Sequence, residues 1–284
     1  MSEYLLARDG HRSRVGGVWT QDKLGYMKKY AEAFMIAMAP KRAASKWDQL
    51  VFIDPLCGPG VDIDKKSSKE FPGSPSIALD VSPAFDRLYL GDLDPGNVEA
   101  LTARMSAKDA ARVSLKAEDC HTRAQAVVAE MSRKTLGLAF VDPEGFEVHF
   151  KLFETLASRA IDIVFLFPSG IGIVRNLALF VKQSHCGLDD LWGSDEWRRL
   201  PMAQMAAGTS PTSETDTYYQ SWAAAFCKRV ATLGYLHHDI QGPLRNEQKT
   251  PMYHLLFFSK SEAGLTIWRN VHQIDPRGQR QLRF

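Results

Sequence analysis

The chain has 284 residues, 45% of them hydrophobic and 24% charged, and a net charge of +2 at neutral pH. That length and composition suit a soluble protein burying one large α/β core or two smaller ones, and the small net charge favours no class of partner. No apolar run approaches the ~18 residues of a membrane span, residues 1–17 lack the apolar centre of a secretory signal, and the four scattered cysteines (Cys57, Cys120, Cys186, Cys227) form neither a CxxC pair nor a zinc spacing, so they read as reduced thiols of a cytoplasmic protein.

Residues 1–18 are polar and glycine-ended and read as a mobile arm ahead of a single domain over 19–284. Trp19-Thr20 opens a helix to about Met38, with Thr20 as N-cap and Leu24, Met27, Ala31, Phe34 and Met38 on one apolar face; Pro40 and Lys41-Arg42 end it. Val51-Phe52-Ile53 is a short buried strand that breaks at Asp54 into Pro55-Leu56-Cys57-Gly58-Pro59-Gly60. Residues 61–75 are too polar and broken for an element and read as a long loop serving as a lid or substrate loop. A helix follows from Ser76 to about Val81. Strand Arg87–Gly91 ends in Asp92-Leu93-Asp94-Pro95, with a helix starting near Asn97. Strand Val113–Ala117 ends in Glu118-Asp119-Cys120, and a helix runs from about Arg123 to Ser132. The apolar run Leu136–Val141 has the character of a central parallel strand and ends in Asp142-Pro143-Glu144-Gly145. A helix near 150–159 leads to strand Asp162–Phe167 and the turn Pro168-Ser169-Gly170. Residues 185–216 interrupt the rhythm as a cap insertion of short helices. Helix Thr217–Leu233, an antiparallel pair (Tyr235–Ile240, Met252–Ser259), helix Gly264–Val271 and a tail with Arg277, Arg280 and Arg283 complete the chain. The alternation predicts a doubly wound α/β sheet with right-handed crossovers.

In such sheets ligands bind beyond the carboxyl ends of the strands. Gly58 and Gly60 let a ligand lie against the main chain, while Asp54 suits a cationic or hydroxyl-bearing group. Neither GxGxxG nor a phosphate-cradling loop is present, which disfavours a nucleotide-dependent oxidoreductase. The pattern is that of a nucleoside-type site without pyrophosphate recognition, S-adenosylmethionine being the commonest such ligand. Asp92, at the tip of the next strand, fits a ribose diol, whereas Asp94 could cap the following helix. Asp142 or Glu144 could orient or deprotonate an acceptor; alternatively Asp142-Pro143 caps the next helix. Lys23 and Arg175 are either contacts for a substrate phosphate or carboxylate, or solvated surface charges. Cys57 reads as a packing thiol rather than a nucleophile, and His237, His238, His254 and His272 show no metal-ligand spacing.

Taken in order, Trp19 with Lys23-Leu24, Phe52-Ile53-Asp54 with Gly58-Pro59-Gly60, Gly73-Ser74-Pro75, Asp142-Pro143-Glu144-Gly145, Phe167-Pro168 with Arg175-Asn176, and Met252 to Lys260 resemble a class I S-adenosylmethionine-dependent methyltransferase. More narrowly, they resemble the three-Cys-motif partner (TcmP) family over most of residues 19–270. The resemblance implies a seven-stranded sheet with an antiparallel last strand and S-adenosylmethionine as cofactor. It places Asp54, Gly58 and Gly60 at the methionine portion, Asp92 at the ribose, and Asp119 with Cys120 at the adenine edge, with Cys57 and Leu93 also among the cofactor-binding residues. Asp142, Pro143 and Glu144 would lie where methyl meets acceptor, with Lys23, Ser74 and Arg175 on the substrate. Glu144-Gly145 departs from the Asp/Asn-Pro-Pro-aromatic turn of amino-directed nucleic-acid enzymes. The implied activity is methyl transfer to nucleic acid or a modified nucleoside; the alternative is a catalytically silent module acting through an associated three-cysteine-motif protein.

Overall fold

The structure, a computed structural model, describes residues 3–208 and 216–271. The Ser/Thr-rich run 209–215, His272 and the basic tail with Arg277, Arg280 and Arg283 lie outside the described residues.

A hairpin of β1 (Tyr4–Leu6) and β2 (Arg12–Gly16) precedes α1 (Val18–Ala43). Leu24, Met27, Ala31, Phe34 and Met38 of α1 are buried, as their helical spacing requires. The chain continues through β3 (Gln49–Asp54), β4 (Val61–Asp64), β5 (Glu70–Pro72), α2 (Ser74–Asp80), β6 (Arg87–Asp92) and α3 (Pro95–Arg104). Next come α4 (Ala107–Ala110), β7 (Val113–Ala117), α5 (Cys120–Glu130), β8 (Thr135–Val141), α6 (Phe150–Ala157) and β9 (Ala160–Phe167). Short helices α7 (Leu177–Phe180), α8 (Gly187–Trp192) and α9 (Pro201–Gly208) lead to α10 (Asp216–Ala231), β10 (His237–Arg245), β11 (Pro251–Ser259) and α11 (Glu262–Val271). Among the described residues no helix is long and apolar enough to cross a membrane.

The large sheet has the order β10-β11-β9-β8-β3-β6-β7. β3 pairs in parallel with both β6 and β8, whereas β11 runs antiparallel to β9 and β10. This is the seven-stranded sheet with a reversed last strand that the resemblance implies. Because side chains alternate across a strand, the apolar run of β3 divides between two cores: Leu50 and Phe52 join the one under α1, Val51 and Ile53 the one under α5 and α6. Such two-sided burial is why β3, β8 and β9 are almost continuously apolar. Strand order reverses at β3, which places the crevice beyond Asp54.

Two expectations are corrected. Residues 4–16 are strands rather than an arm, and residues 61–72 hold two strands rather than a loop; together they form a second sheet, β1-β2-β4-β5, with β2 parallel to β4. β1–β2 and β4–β5 are local hairpins of short strands with little apolar alternation, and the β2–β4 pairing that joins them links segments far apart in sequence. Arg104 fastens the hairpin, its Nε donating to Asp9 Oδ2 at 2.7 Å and its Nη1 to the Pro59 carbonyl at 2.6 Å. Helix α1 is also corrected at both ends. Gly17 is its N-cap, with the Gly17 amide donating to Thr20 Oγ1, and it runs three residues past Pro40.

Candidate functional site at the carboxyl edge

Asp54 ends β3 fully buried. Its Oδ2 accepts from Ser74 Oγ at 2.6 Å and its Oδ1 from the Leu56 amide at 3.2 Å. Burial pushes its pKa up to about 7, against the pull of those two hydrogen bonds. Ser74, expected at the substrate, is therefore the partner that holds Asp54. The turn that follows uses its glycines: Gly58 has φ +65° and Gly60 φ +87°, angles that disfavour any side chain. Asp92, at the end of β6, accepts from the Gly58 amide and the Asp94 amide, each at 2.9 Å. One hydrogen bond thus ties the glycine turn to the neighbouring strand's carboxylate. Asp94 caps α3 through the Gly96 amide at 2.9 Å and pairs with Arg12 at 2.8 Å. Leu93 between them is 71% exposed.

Further along the edge, Asp119 caps α5, accepting from the His121 and Thr122 amides. Cys120 is buried, its Sγ 3.7 Å from the Glu147 carbonyl, and burial pushes its thiol up to about 12. Cys57 is buried beneath the glycine turn, and burial raises its thiol well above the ordinary value. Both thiols are poor nucleophiles in these surroundings.

Beyond β8 lies a cavity of about 170 Å³ lined by Arg14, Val15, Trp19, Thr20, Lys23, Asp142, Pro143, Glu144 and Tyr253. Asp142 is 7% exposed. Its Oδ2 meets Lys23 Nζ at 2.5 Å, and its buried Oδ1 has no hydrogen-bond partner among the described residues. Lys23 is buried against Trp19, its Nζ 4.6 Å from the ring centroid, and Trp19 stacks on Tyr253 at 4.9 Å. Lys23 is thus a structured buried cation rather than a solvated surface charge. Arg175 is exposed and does not line this cavity.

Sequence reasoning missed Arg14 and Asp62, which the second sheet brings here. Arg14 reaches across the Gly58 turn: its Nη2 lies 3.3 Å from the position a Cβ on Gly58 would take, and 3.3 Å from Glu144 Oε1. Burial opposes its charge, but Asp142, Asp62 and Glu144 outweigh that and hold its pKa above the ordinary value. Asp62 is pushed up to about 6 by burial. The alternation Arg12-Ser13-Arg14-Val15 carries a period of two, the one local signal for this strand.

These residues fit the chemistry of S-adenosylmethionine. Buried carboxylates suit its cationic groups and ribose hydroxyls, the glycine turn permits close approach, and Asp142 Oδ1 and Arg14 Nε are buried polar atoms without hydrogen-bond partners among the described residues. A cavity of this volume takes a fragment of a nucleoside rather than the whole. Among the described residues there is no group of three or more His, Cys, Asp or Glu that could hold a metal ion.

No protein-family profile matches the sequence, and no curated protein matches it significantly. Solved structures do. Protein LPL1258 of Legionella pneumophila (family-model DUF519) aligns over 92% of this chain and 95% of its own, at 13% identity and a TM-score of 0.52. YhhF of Escherichia coli, provisionally described as a methyltransferase, aligns over 82% and 86% at 12% identity, TM-score 0.35. The methyltransferase domain of bacterial CtHen1 aligns over 81% and 99% at 10% identity, TM-score 0.36. The last two scores are too low to carry an argument, and at 13% identity the first likeness is one of fold. With the sheet order and its reversed β11, it gives this chain a doubly wound α/β fold, with the strand arrangement that the class I methyltransferase resemblance implies.

Proposed function

We propose that the protein is an S-adenosylmethionine-dependent methyltransferase acting on nucleic acid or a modified nucleoside, in the manner the TcmP resemblance implies, in the cytoplasm and with a three-cysteine-motif protein as partner. The observation that carries the cofactor reading is the juxtaposition of Asp54 and Asp92 at the ends of paired strands, with the Gly58 amide bonded to Asp92. Lys23 and the Trp19–Tyr253 stack, beside Asp142, give a polar and aromatic wall suited to a base and its charged surroundings.

The cofactor would supply a methyl group already activated on a sulfonium. The chain's own residues then align and move protons. Asp54, held by Ser74, faces the methionine end, while Asp92 receives the ribose hydroxyls. Asp142 is held by Lys23 through Oδ2, leaving Oδ1 to accept a hydrogen bond, and then a proton, from an acceptor amine or hydroxyl. Pro143 and Glu144 shape the rim, with Glu144 paired to Arg14.

Asp54→Ala should abolish S-adenosylmethionine binding in calorimetry while the variant retains a cooperative melt. Micromolar affinity retained by that variant would refute the cofactor assignment. Binding by the wild type without methyl transfer to any RNA or DNA from the same cells would favour the silent-partner alternative.

A further inference from the structure

We infer that Arg14 receives the α-carboxylate of the cofactor's amino-acid end, a role that rests on the reading of the Gly58 turn as an S-adenosylmethionine site. Strand β2 carries two arginines on one face, two residues apart. Arg12 pairs with Asp94, just beyond β6, at 2.8 Å, and Arg14 with Glu144, just beyond β8, at 3.3 Å. The strand therefore passes across the switch point of the sheet, and Arg14 lies on the glycine face where an amino-acid group would rest.

Charge decides the matter. Asp142 and Glu144 line this end of the crevice and make it acidic, so a ligand carboxylate needs a cation there. Two cations line the cavity among its described residues, Lys23 and Arg14. Lys23 is committed to Asp142 at 2.5 Å beneath Trp19. Arg14 has a buried Nε without a hydrogen-bond partner among the described residues, and its Nη2 meets Glu144 only at 3.3 Å. An Nε–Nη2 edge is the planar fork that matches a carboxylate bidentately. A carboxylate seated on it would give Nε its missing acceptor.

The test compares two probes that differ at that end, S-adenosylhomocysteine, which carries the carboxylate, and 5′-methylthioadenosine, which lacks the amino-acid group. Arg14→Gln should weaken S-adenosylhomocysteine about 10–100-fold and leave 5′-methylthioadenosine within about twofold, with Arg14→Lys between. Equal losses for both probes would make Arg14 a structural residue, gains for both would make it an occluding one, and no change would remove it from the site; each overturns the inference while the cofactor reading stands. Failure of both probes on the wild type would overturn the cofactor reading itself, and this inference with it. If Arg14→Gln does not fold, the wild type alone decides: the α-carboxamide of S-adenosylhomocysteine should bind about 10–100-fold more weakly than the acid, and equal affinity would sink the assignment.

Discussion

Asp54, Asp62 and Asp162 are buried carboxylates that hold their protons to unusually high pH, about 7 for Asp54 and about 6 for the other two, with burial as the leading cause. Unfolded, each would titrate near ~3.9. Between about pH 4 and 7 the folded chain keeps protons that the unfolded chain gives up, so these three groups make stability fall as pH rises through that window. Asp9 contributes the opposite slope. Its Arg104 hydrogen bonds hold it at about 2, so its contribution is lost only as pH falls below about 4. Asp162 is the cleanest probe because it lies away from the crevice, accepting from Tyr30 Oη at 2.7 Å. Asp162→Asn should flatten the decline of unfolding free energy between about pH 4 and 6 in urea titrations; an unchanged slope would contradict the assignment. Ser74→Ala removes the donor to Asp54 Oδ2, leaving a buried acceptor unpaired. A loss of about 1–3 kcal/mol is expected by denaturant unfolding.

At the scale of elements, the turn after β9 is fixed by backbone contact. Ser169–Ile173 forms a single π-helical turn, and Asn176 Nδ2 donates to the Gly172 carbonyl at 2.7 Å. A Cβ on Gly170 would lie 2.1 Å from the Pro251 carbonyl oxygen at the start of β11. Backbone cannot yield there without parting β11 from β9, so Gly170→Ala should cost at least ~1–3 kcal/mol. Gly145→Ala is the control, since its nearest neighbour is the flexible end of Glu147 at 3.2 Å; equal melting temperatures for the two variants would refute the account. The same loop geometry places Ser169 Oγ 2.7 Å from His254 Nδ1, both fully buried, and burial lowers that imidazole to about 4. The pair is hydrogen-bonded through Nδ1 within the packing of β9 against β11, while the buried Nε2 of His254 has no partner among the described residues.

At the scale of the whole molecule, the insertion after β9 shares its core with the sheet. Phe226 of α10 sits 5.0 Å from Phe167, 5.4 Å from Phe153 and 5.5 Å from Trp192 of α8, ring centroid to ring centroid. Phe226→Ala should therefore cost ~3–5 kcal/mol and lower one cooperative transition; a separate early transition would show that the insertion melts on its own. The strands of the large sheet were legible because their burial writes a period of two or an unbroken apolar run into Leu50–Ile53 or Leu136–Val141 whatever they pair with. Strand ends were legible too, since Asp54, Asp92 and Asp142 stand where apolar runs stop. The second sheet was not: its strands are short and mostly polar, so the β1–β2 and β4–β5 hairpins leave only a weak alternation, and the β2–β4 pairing that joins them spans some fifty residues. By itself, then, the sequence determined the doubly wound sheet and the row of carboxylates along its edge, because hydrophobic periodicity and glycine geometry are local properties of the chain. Only the tertiary structure decided that Ser74 holds Asp54, that Lys23 holds Asp142 and that Arg14 lies over Gly58, because each depends on distances between segments that burial and long-range strand pairing bring together.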